Sequence, residues 1–348
     1  MPDPADPAVP VPPGLPALHR EVRLARRVGG AALTERHFTV AEVPVPRPGP
    51  GQVLVRTRLM AVTAATRTRM TAAPLPMPSF EPGRPLSGAA IGEVVAAPGG
   101  DPAPGDLVHH PCGWREYAAV DRDRVRRLAP DALPFPAAHL SQGATAWGAL
   151  RRAAGVREGD TVFVSGAAGG VGSLAGQLAR RLGAGRVVGS TGSAAKAARL
   201  RAELGYDATV VRGAGPIEEQ LRAAAPEGID VLLDTVGGEQ LRAALAVARP
   251  DARFALVGAL SSQLGGGGMS CPVELDSAVI ITRRIALRGF GLHAHPDLPA
   301  EWTAEFGRGL RDGSLVFPHT VLRGIEQAPR ALCELTSGRH VGSVLVEV

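Results

Sequence analysis

Thr161-Val162-Phe163-Val164-Ser165-Gly166-Ala167-Ala168-Gly169-Gly170-Val171-Gly172 is the stretch that decides the fold of this chain. Thr161 to Val164 is a short, β-branched run of the kind buried in a parallel sheet, and a glycine-rich turn follows it directly. Beyond the turn, Val171, Leu174, Ala175, Leu178, Ala179 and Leu182 recur at helical spacing. A strand that enters a glycine turn and leaves as a helix presents the helix's first backbone N–H groups to a bound pyrophosphate. The G-x-G-x-x-G positions are held by Ala167, Gly169 and Gly172, with alanine in the first place. Alone the motif is weak, and it gains weight from the strand before it and the helix after it.

About twenty residues further on, a unit of this kind reads the adenosine ribose, with an acidic side chain where the 2′-hydroxyl is free. Here Arg186-Val187-Val188-Gly189-Ser190 reads as the second strand and Ser193 to Leu204 as a helix. Between them stand Ser190, Thr191, Gly192, Ser193 and Lys196, with hydroxyls, one cation and no carboxylate. Lys196 is the sole lysine of a chain with 38 basic residues, so it stands out against a pressure that has made every other one arginine. The pattern suits the 2′-phosphate of NADPH. Arg212, just past the third strand, is placed either beside the same phosphate or in a solvated loop.

Outward from this core the chain divides in two. From Arg20 to about Val125, short apolar runs broken by Pro and Gly (52 to 58, 91 to 96, 106 to 110, 117 to 120) predict an all-β, barrel-like segment. From 140 onward helical and strand patterns alternate, which predicts an α/β, doubly wound parallel sheet of the Rossmann type. Ligands bind at the carboxyl ends of such strands, which singles out Ser165 to Gly172, Ser190 to Lys196, Asp234 to Gly238 and Gly258 to Ser262. A final strand, 343 to 348, is expected to return to the β segment. The boundaries are therefore a proline-rich tail over 1–16, read as disordered, a β domain from 17–139 and 315–348, and a cofactor domain over 140–314.

Composition narrows the classes of function. At 348 residues the chain can carry two domains with their own cores, and 45% hydrophobic against 20% charged residues describes a soluble globular protein. No run approaches the apolar length of a membrane helix, and the first sixteen residues, with seven prolines and Asp3 and Asp6, are unlike a signal peptide. The net charge of +5 comes from arginines scattered among acids, with no basic stripe, so no nucleic-acid partner is expected. Cys112, Cys271 and Cys333 form no C-x-x-C pair, which suits a reducing, cytoplasmic setting.

Several motifs together resemble the zinc-free, NADPH-dependent branch of the medium-chain dehydrogenases/reductases, the group of prostaglandin reductase and the plant double-bond reductases. They are Gly143-Ala144-Thr145-Ala146-Trp147, Gly169-Gly170-Val171-Gly172-Ser173, Leu204-Gly205-Tyr206-Asp207, Asp234-Thr235-Val236-Gly237-Gly238 and Gly258-Ala259. The resemblance implies a GroES-like β-barrel catalytic domain and a homodimer acting on a small molecule. It places Thr145 near the nicotinamide, Gly169, Gly170, Val171 and Gly172 at the pyrophosphate, and Ser190, Ser193 and Lys196 at the 2′-phosphate end. Arg212, Val236, Gly258, Ala259 and Phe290 complete the implied cofactor set. His340 stands where the group carries a cofactor-holding asparagine, or is a loop histidine. Zinc relatives place a histidine where this chain has Gly88-Ala89-Ala90, so no metal is expected; His109-His110-Pro111-Cys112 would offer at most two ligands on one face of a strand.

The departures from the group lie in the substrate site. Two tyrosine-bearing stretches of the group appear here as Thr63-Ala64-Ala65-Thr66-Arg67 and Ile280-Ile281-Thr282-Arg283, without tyrosine. Gly265 to Gly268 reads as a mobile lid or a plain linker. Hydride chemistry belongs to the nicotinamide and survives these losses. The leading expectation is reduction of a carbon-carbon double bond conjugated to a carbonyl, with His293 as candidate proton donor or an ordinary surface histidine. Reduction of a ketone, imine or quinone is the alternative, and a non-catalytic NADPH-binding sensor is the third. The alanine- and arginine-rich composition suits a bacterium and a biosynthetic setting.

Overall fold

The computed structural model describes residues 14–30, 32–72, 75, 77–265 and 270–348. Most of the expected proline-rich tail, and Gly266 to Gly268 of the expected glycine lid, lie outside the described residues. The β domain begins with the hairpin β1 (Leu18–Leu24) and β2 (Phe38–Pro44). It continues with β3 (Gln52–Val62), the short helix α1 (Ala64–Arg69), β4 (Ala90–Ala96), β5 (Leu107–His110), β6 (Tyr117–Asp121) and β7 (Arg126–Arg127). The four apolar runs read from the sequence are β3 to β6. The hairpin strands β1 and β2 were not resolved by periodicity, because Arg20, Glu21, Arg23 and Glu42 interrupt their alternation.

The central part opens with α2 (Gly143–Gly148), which runs on as a π-helical segment, Ala149–Ala154. Then come β8 (Thr161–Val164), α3 (Gly172–Arg181), β9 (Arg186–Thr191), α4 (Ala194–Glu203), β10 (Ala208–Val211), α5 (Ile217–Ala224), β11 (Ile229–Asp234), α6 (Gly238–Ala246) and β12 (Ala248–Leu256). Two short helices, α7 (Leu260–Gly265) and α8 (Ser277–Arg283), precede β13 (Ala286–Gly289). The chain ends with α9 (Leu298–Arg311), β14 (His319–Arg323), α10 (Ala328–Thr336) and β15 (Ser343–Glu347). Helices α7 and α8 and strand β13 have no counterpart in the sequence pattern: α7 and α8 bury none of their residues, so no apolar stripe marks them.

Strands β8 to β13 form one parallel sheet in the order β10-β9-β8-β11-β12-β13. Numbered within the sheet this is 3-2-1-4-5-6, the doubly wound dinucleotide order, and its switch point falls between β8 and β11. β8 is buried on both faces: Val162 and Val164 join the cluster with α2, α3 and α9, while Phe163 joins the cluster with α5 and α6. Tyr206, fully buried, donates a 2.6 Å hydrogen bond to the carbonyl of Gly172 and packs its ring against Gly176, where a Cβ would approach to 2.4 Å. The start of α3 is thereby pinned from behind.

The second sheet has the order β14-β15-β3-β4-β5-β7, with β6 also on β3. β15 runs antiparallel to β3, so the C-terminus returns to the β domain as expected. On β5, Val108 and His110 face the buried interior and His109 the other side, opposite Arg126. His110 is fully buried with neither ring nitrogen hydrogen-bonded, and burial, together with His109 and Arg115, pushes its pKa down to about 3.

That histidine couples stability to pH. Its folded pKa lies below the unfolded value near 6.5, so the unfolded chain binds the proton first and stability is lost as pH falls below about 6.5. At pH 5 the loss from this one group is about 2 kcal/mol. Urea unfolding at pH 7.5 and pH 5 should show the wild type losing about 2 kcal/mol more than His110→Leu between the two. Equal losses would contradict a neutral, buried His110.

Candidate cofactor and active site

At the switch point the ends of β8 and β11 are stitched together. Ser165 donates its hydroxyl to the buried carboxylate of Asp234 and accepts the amide of Thr235 at 2.8 Å, while the Thr235 hydroxyl donates to the carbonyl of Ser165 at 2.8 Å. The Asp234 carboxylate also accepts the amides of Val236 and Gly237, both at 3.0 Å. Three of these hydrogen bonds tie the two strand ends together and the other two fix the loop after β11, with the glycine turn on one side and Thr235 to Gly238 on the other.

The turn is equally determined. Gly166 takes φ +64°, and its amide donates to the Ser190 hydroxyl at 2.9 Å. Ser190 in turn donates to the Gln240 side chain. Gly172 packs so closely on the turn that a Cβ there would come within 2.4 Å of the Gly166 carbonyl oxygen, so only glycine lets α3 start at this point. Gly342 of the β domain donates its amide to the carbonyl of Ala168 at 2.9 Å, which closes the far side of the turn.

These elements surround a cavity of about 330 Å³ between the two domains. Of the residues singled out in the sequence, Gly169, Gly170, Val171, Gly172, Ser190, Ser193, Lys196, Arg212, Val236 and His340 stand in its wall. At one end, Ser193 caps α4 by accepting the amide of Lys196. The Lys196 ammonium is half-buried and donates to the carbonyl of Gly338; burial and the neighbouring Arg212 lower its pKa. The Arg212 guanidinium lies against Gly192. Two cations held this close without a carboxylate bonded to either among the described residues make a site for a doubly charged anion. His340 is oriented by Glu334, Nε2 to Oε2 at 3.0 Å.

Thr145, Gly258, Ala259, Phe290 and His293 are not in the cavity wall. Thr145 sits half-buried on α2. Gly258 packs on the Thr235 carbonyl, and Ala259 begins the connection into α7. Phe290 is buried against Gly148 and stacks on His295, ring centroids 5.1 Å apart. His293 is exposed on a single helical turn, Leu292–Ala294. The stretch Ile280 to Arg283, where a tyrosine was sought, forms α8 on the outside, with Ile281 73% exposed. The residues of that region that reach the cavity are Leu260, Gln263 and Leu264 of α7, together with Gln142 and Ala64. Leu260 lies in the Gly258 to Ser262 strand end and Ala64 in the Thr63 to Arg67 stretch noted in the sequence; no motif marked Gln142, one step outside the quoted helix start, or Gln263 and Leu264, because α7 lacks periodicity.

Comparison with known proteins agrees with this geometry. Residues 20–128 match the family model described as the N-terminal domain of oxidoreductases, and residues 170–305 that of zinc-binding dehydrogenases. The chain is 33% identical to a putative NADP-dependent oxidoreductase of Bacillus subtilis, over 95% of this chain and 98% of that protein. It is 31% identical to the NADPH-dependent curcumin reductase of Escherichia coli, over 93% and 95%. The solved structure of CurA from Vibrio vulnificus in complex with NADPH superposes with a TM-score of 0.86 at 27% identity, covering 94% of this chain and 99% of that one. The chain belongs to the medium-chain dehydrogenases/reductases, in their zinc-free, NADPH-dependent branch, and is an oxidoreductase. The second family model takes its description from zinc enzymes, whereas here Ala89 stands in place of the ligand and no three His, Cys, Asp or Glu are grouped to hold a metal among the described residues.

Proposed function

We propose that this enzyme uses NADPH to reduce a carbon-carbon double bond conjugated to a carbonyl. The observation that carries the cofactor half is the pairing of Lys196 and Arg212 at one end of a crevice whose other end is a glycine turn at a helix start. These parts fit the group: the glycine turn and the first amides of α3 suit the pyrophosphate, with the Gln142 carboxamide lying against Gly170, and the cations suit the 2′-phosphate. Bound there, reduced nicotinamide supplies a hydride to the β carbon of the substrate. The chain's own residues do the rest. Val236, Leu260 and Leu264 line the crevice with apolar surface that excludes water from the reacting carbons.

Gln263 of α7 stands in the same wall, while the Gln142 carboxamide lies against Gly170 of the glycine turn. The Gln263 side-chain amide is suited to donate to the carbonyl oxygen as it gains enolate charge, the role of an oxyanion site. The proton that completes the reduction goes to the α carbon and comes from water, because the exposed His293 stands outside the wall. Relatives named as an NADPH-dependent curcumin reductase and an NADP-dependent 2-alkenal reductase support the substrate class.

The division of hydrogens tests this reading. With 4-deuterated NADPH and a simple enone, deuterium should appear at the β carbon of the saturated ketone and the α hydrogen should come from solvent. Deuterium on a carbinol carbon, with the double bond kept, would establish ketone reduction instead.

Cofactor choice is a separate expectation. Lys196→Ala should weaken NADPH binding about tenfold or more, the loss of a charge-assisted hydrogen bond worth roughly 1.5 to 3 kcal/mol, and should leave NADH binding nearly unchanged. Titration calorimetry with both cofactors decides it. Equal losses would remove Lys196 from the 2′-phosphate site.

A further inference from the structure

Helix α7 presents a physical puzzle. It has six residues, buries none of them, and yet carries three of the side chains that wall the cavity. A helix this short does not persist in water, since nucleation costs more than one turn of hydrogen bonds returns. Its first turn is tied to its own domain, where the Leu260 and Ser261 amides donate to the carbonyls of Thr235 and Val236 and the Ser261 hydroxyl donates to that of Val236, but none of these bonds reaches its last turn.

The last turn is supported from the other domain. Arg67, in α1, is only 2% exposed, and its guanidinium donates to the carbonyl of Gln263 and, at 2.8 Å, to that of Leu264. These are among the last carbonyls of α7, which no helical amide can satisfy, at the end where the peptide dipoles favour a cation. Burial lowers the pKa of Arg67. Among the described residues no carboxylate is bonded to it, so the charge is balanced by carbonyl dipoles alone. A buried cation without a counter-anion costs stability, and an apolar side chain of the same length would pack there more cheaply. The planar fork of arginine is what two adjacent carbonyls require.

We infer that Arg67 is a positioning residue for substrate: it docks α7 onto the β domain and so sets Leu260, Gln263 and Leu264 as the wall against which the enone is held. The inference rests on the proposed function for the identity of the substrate, and on the structure for the latch itself. It gives the Thr63 to Arg67 stretch a task that does not need the missing tyrosine. It also places the substrate wall on a contact between domains, so that the site is complete only when they are closed on each other.

Hydrogen exchange on the full-length protein, read at residues 260–265, tests the latch; steady-state kinetics and NADPH titration test its purpose. Arg67→Met should speed exchange of these amides and raise the KM for an enone, each about tenfold or more, the scale of losing hydrogen bonds to a charged group. NADPH affinity should change by less than about threefold, since the cations of its phosphate end are untouched. Arg67→Lys should fall between, because an ammonium can serve one carbonyl well but not both. Unchanged exchange in Arg67→Met, or NADPH affinity falling in step with the KM effect, would overturn the proposal. If Arg67→Met does not fold, Arg67→Lys and the wild type still decide, because wild-type amides at 260–265 exchanging at the rate of an unstructured peptide would also overturn it. A protein that shows the exchange contrast but reduces no enone would sink the proposed function and leave the latch standing.

Discussion

The hydrogen bonds between Ser165 and the Asp234 to Thr235 corner hold the rest of the site in register. A doubly wound sheet has one place where adjacent strands send their connections to opposite faces, and a crevice opens there whether or not anything fills it. Left unsupported, the two loop starts would find their own backbone partners and close it. Here a buried carboxylate gathers the Ser165 hydroxyl and the amides of Val236 and Gly237, and Thr235 bonds back to the Ser165 carbonyl. The crevice is therefore preorganised before ligand arrives, and the glycine turn and the start of α3 take their positions from it.

The second constraint is that the cavity belongs to both domains. Gly342 closes on Ala168, Lys196 reaches the carbonyl of Gly338, and Arg67 holds the end of α7. Gln177 on α3 adds a fourth tie, donating to the carbonyl of Val316 at 3.1 Å and accepting its amide at 2.8 Å. The first two contacts flank the cofactor crevice and the third flanks the substrate end. On the proposed function Lys196 would exchange the Gly338 carbonyl for the 2′-phosphate, a stronger acceptor.

The parallel sheet and the residues that wall its crevice were legible in the sequence because each rests on a local rule. A strand buried on both faces is a continuous apolar run, a turn that admits no Cβ is glycine, and a single lysine among arginines is conspicuous. The substrate end was not legible for equally physical reasons. α7 has no buried stripe to give it a period, Gln142 and Gln263 belong to no motif, and Arg67 acts on carbonyls almost two hundred residues away along the chain. Phe290 was read as a cofactor residue and His293 as a proton donor because an imidazole titrates near neutrality. In the structure Phe290 is spent on packing against Gly148 and His295, and His293 faces solvent. The hairpin strands β1 and β2 escaped notice because their charged residues break the alternation.

The account's central claim is that the crevice between the stitched strand ends and the returning C-terminal loop is where NADPH lies. Hydrogen exchange of the wild-type protein with and without saturating NADPH tests it most directly. Protection on binding should concentrate at residues 165–172, 190–196, 234–240 and 336–343, three segments from the cofactor domain and one from the β domain. Protection confined to the interior strands of the β domain, or none at 165–172 and 336–343, would contradict it.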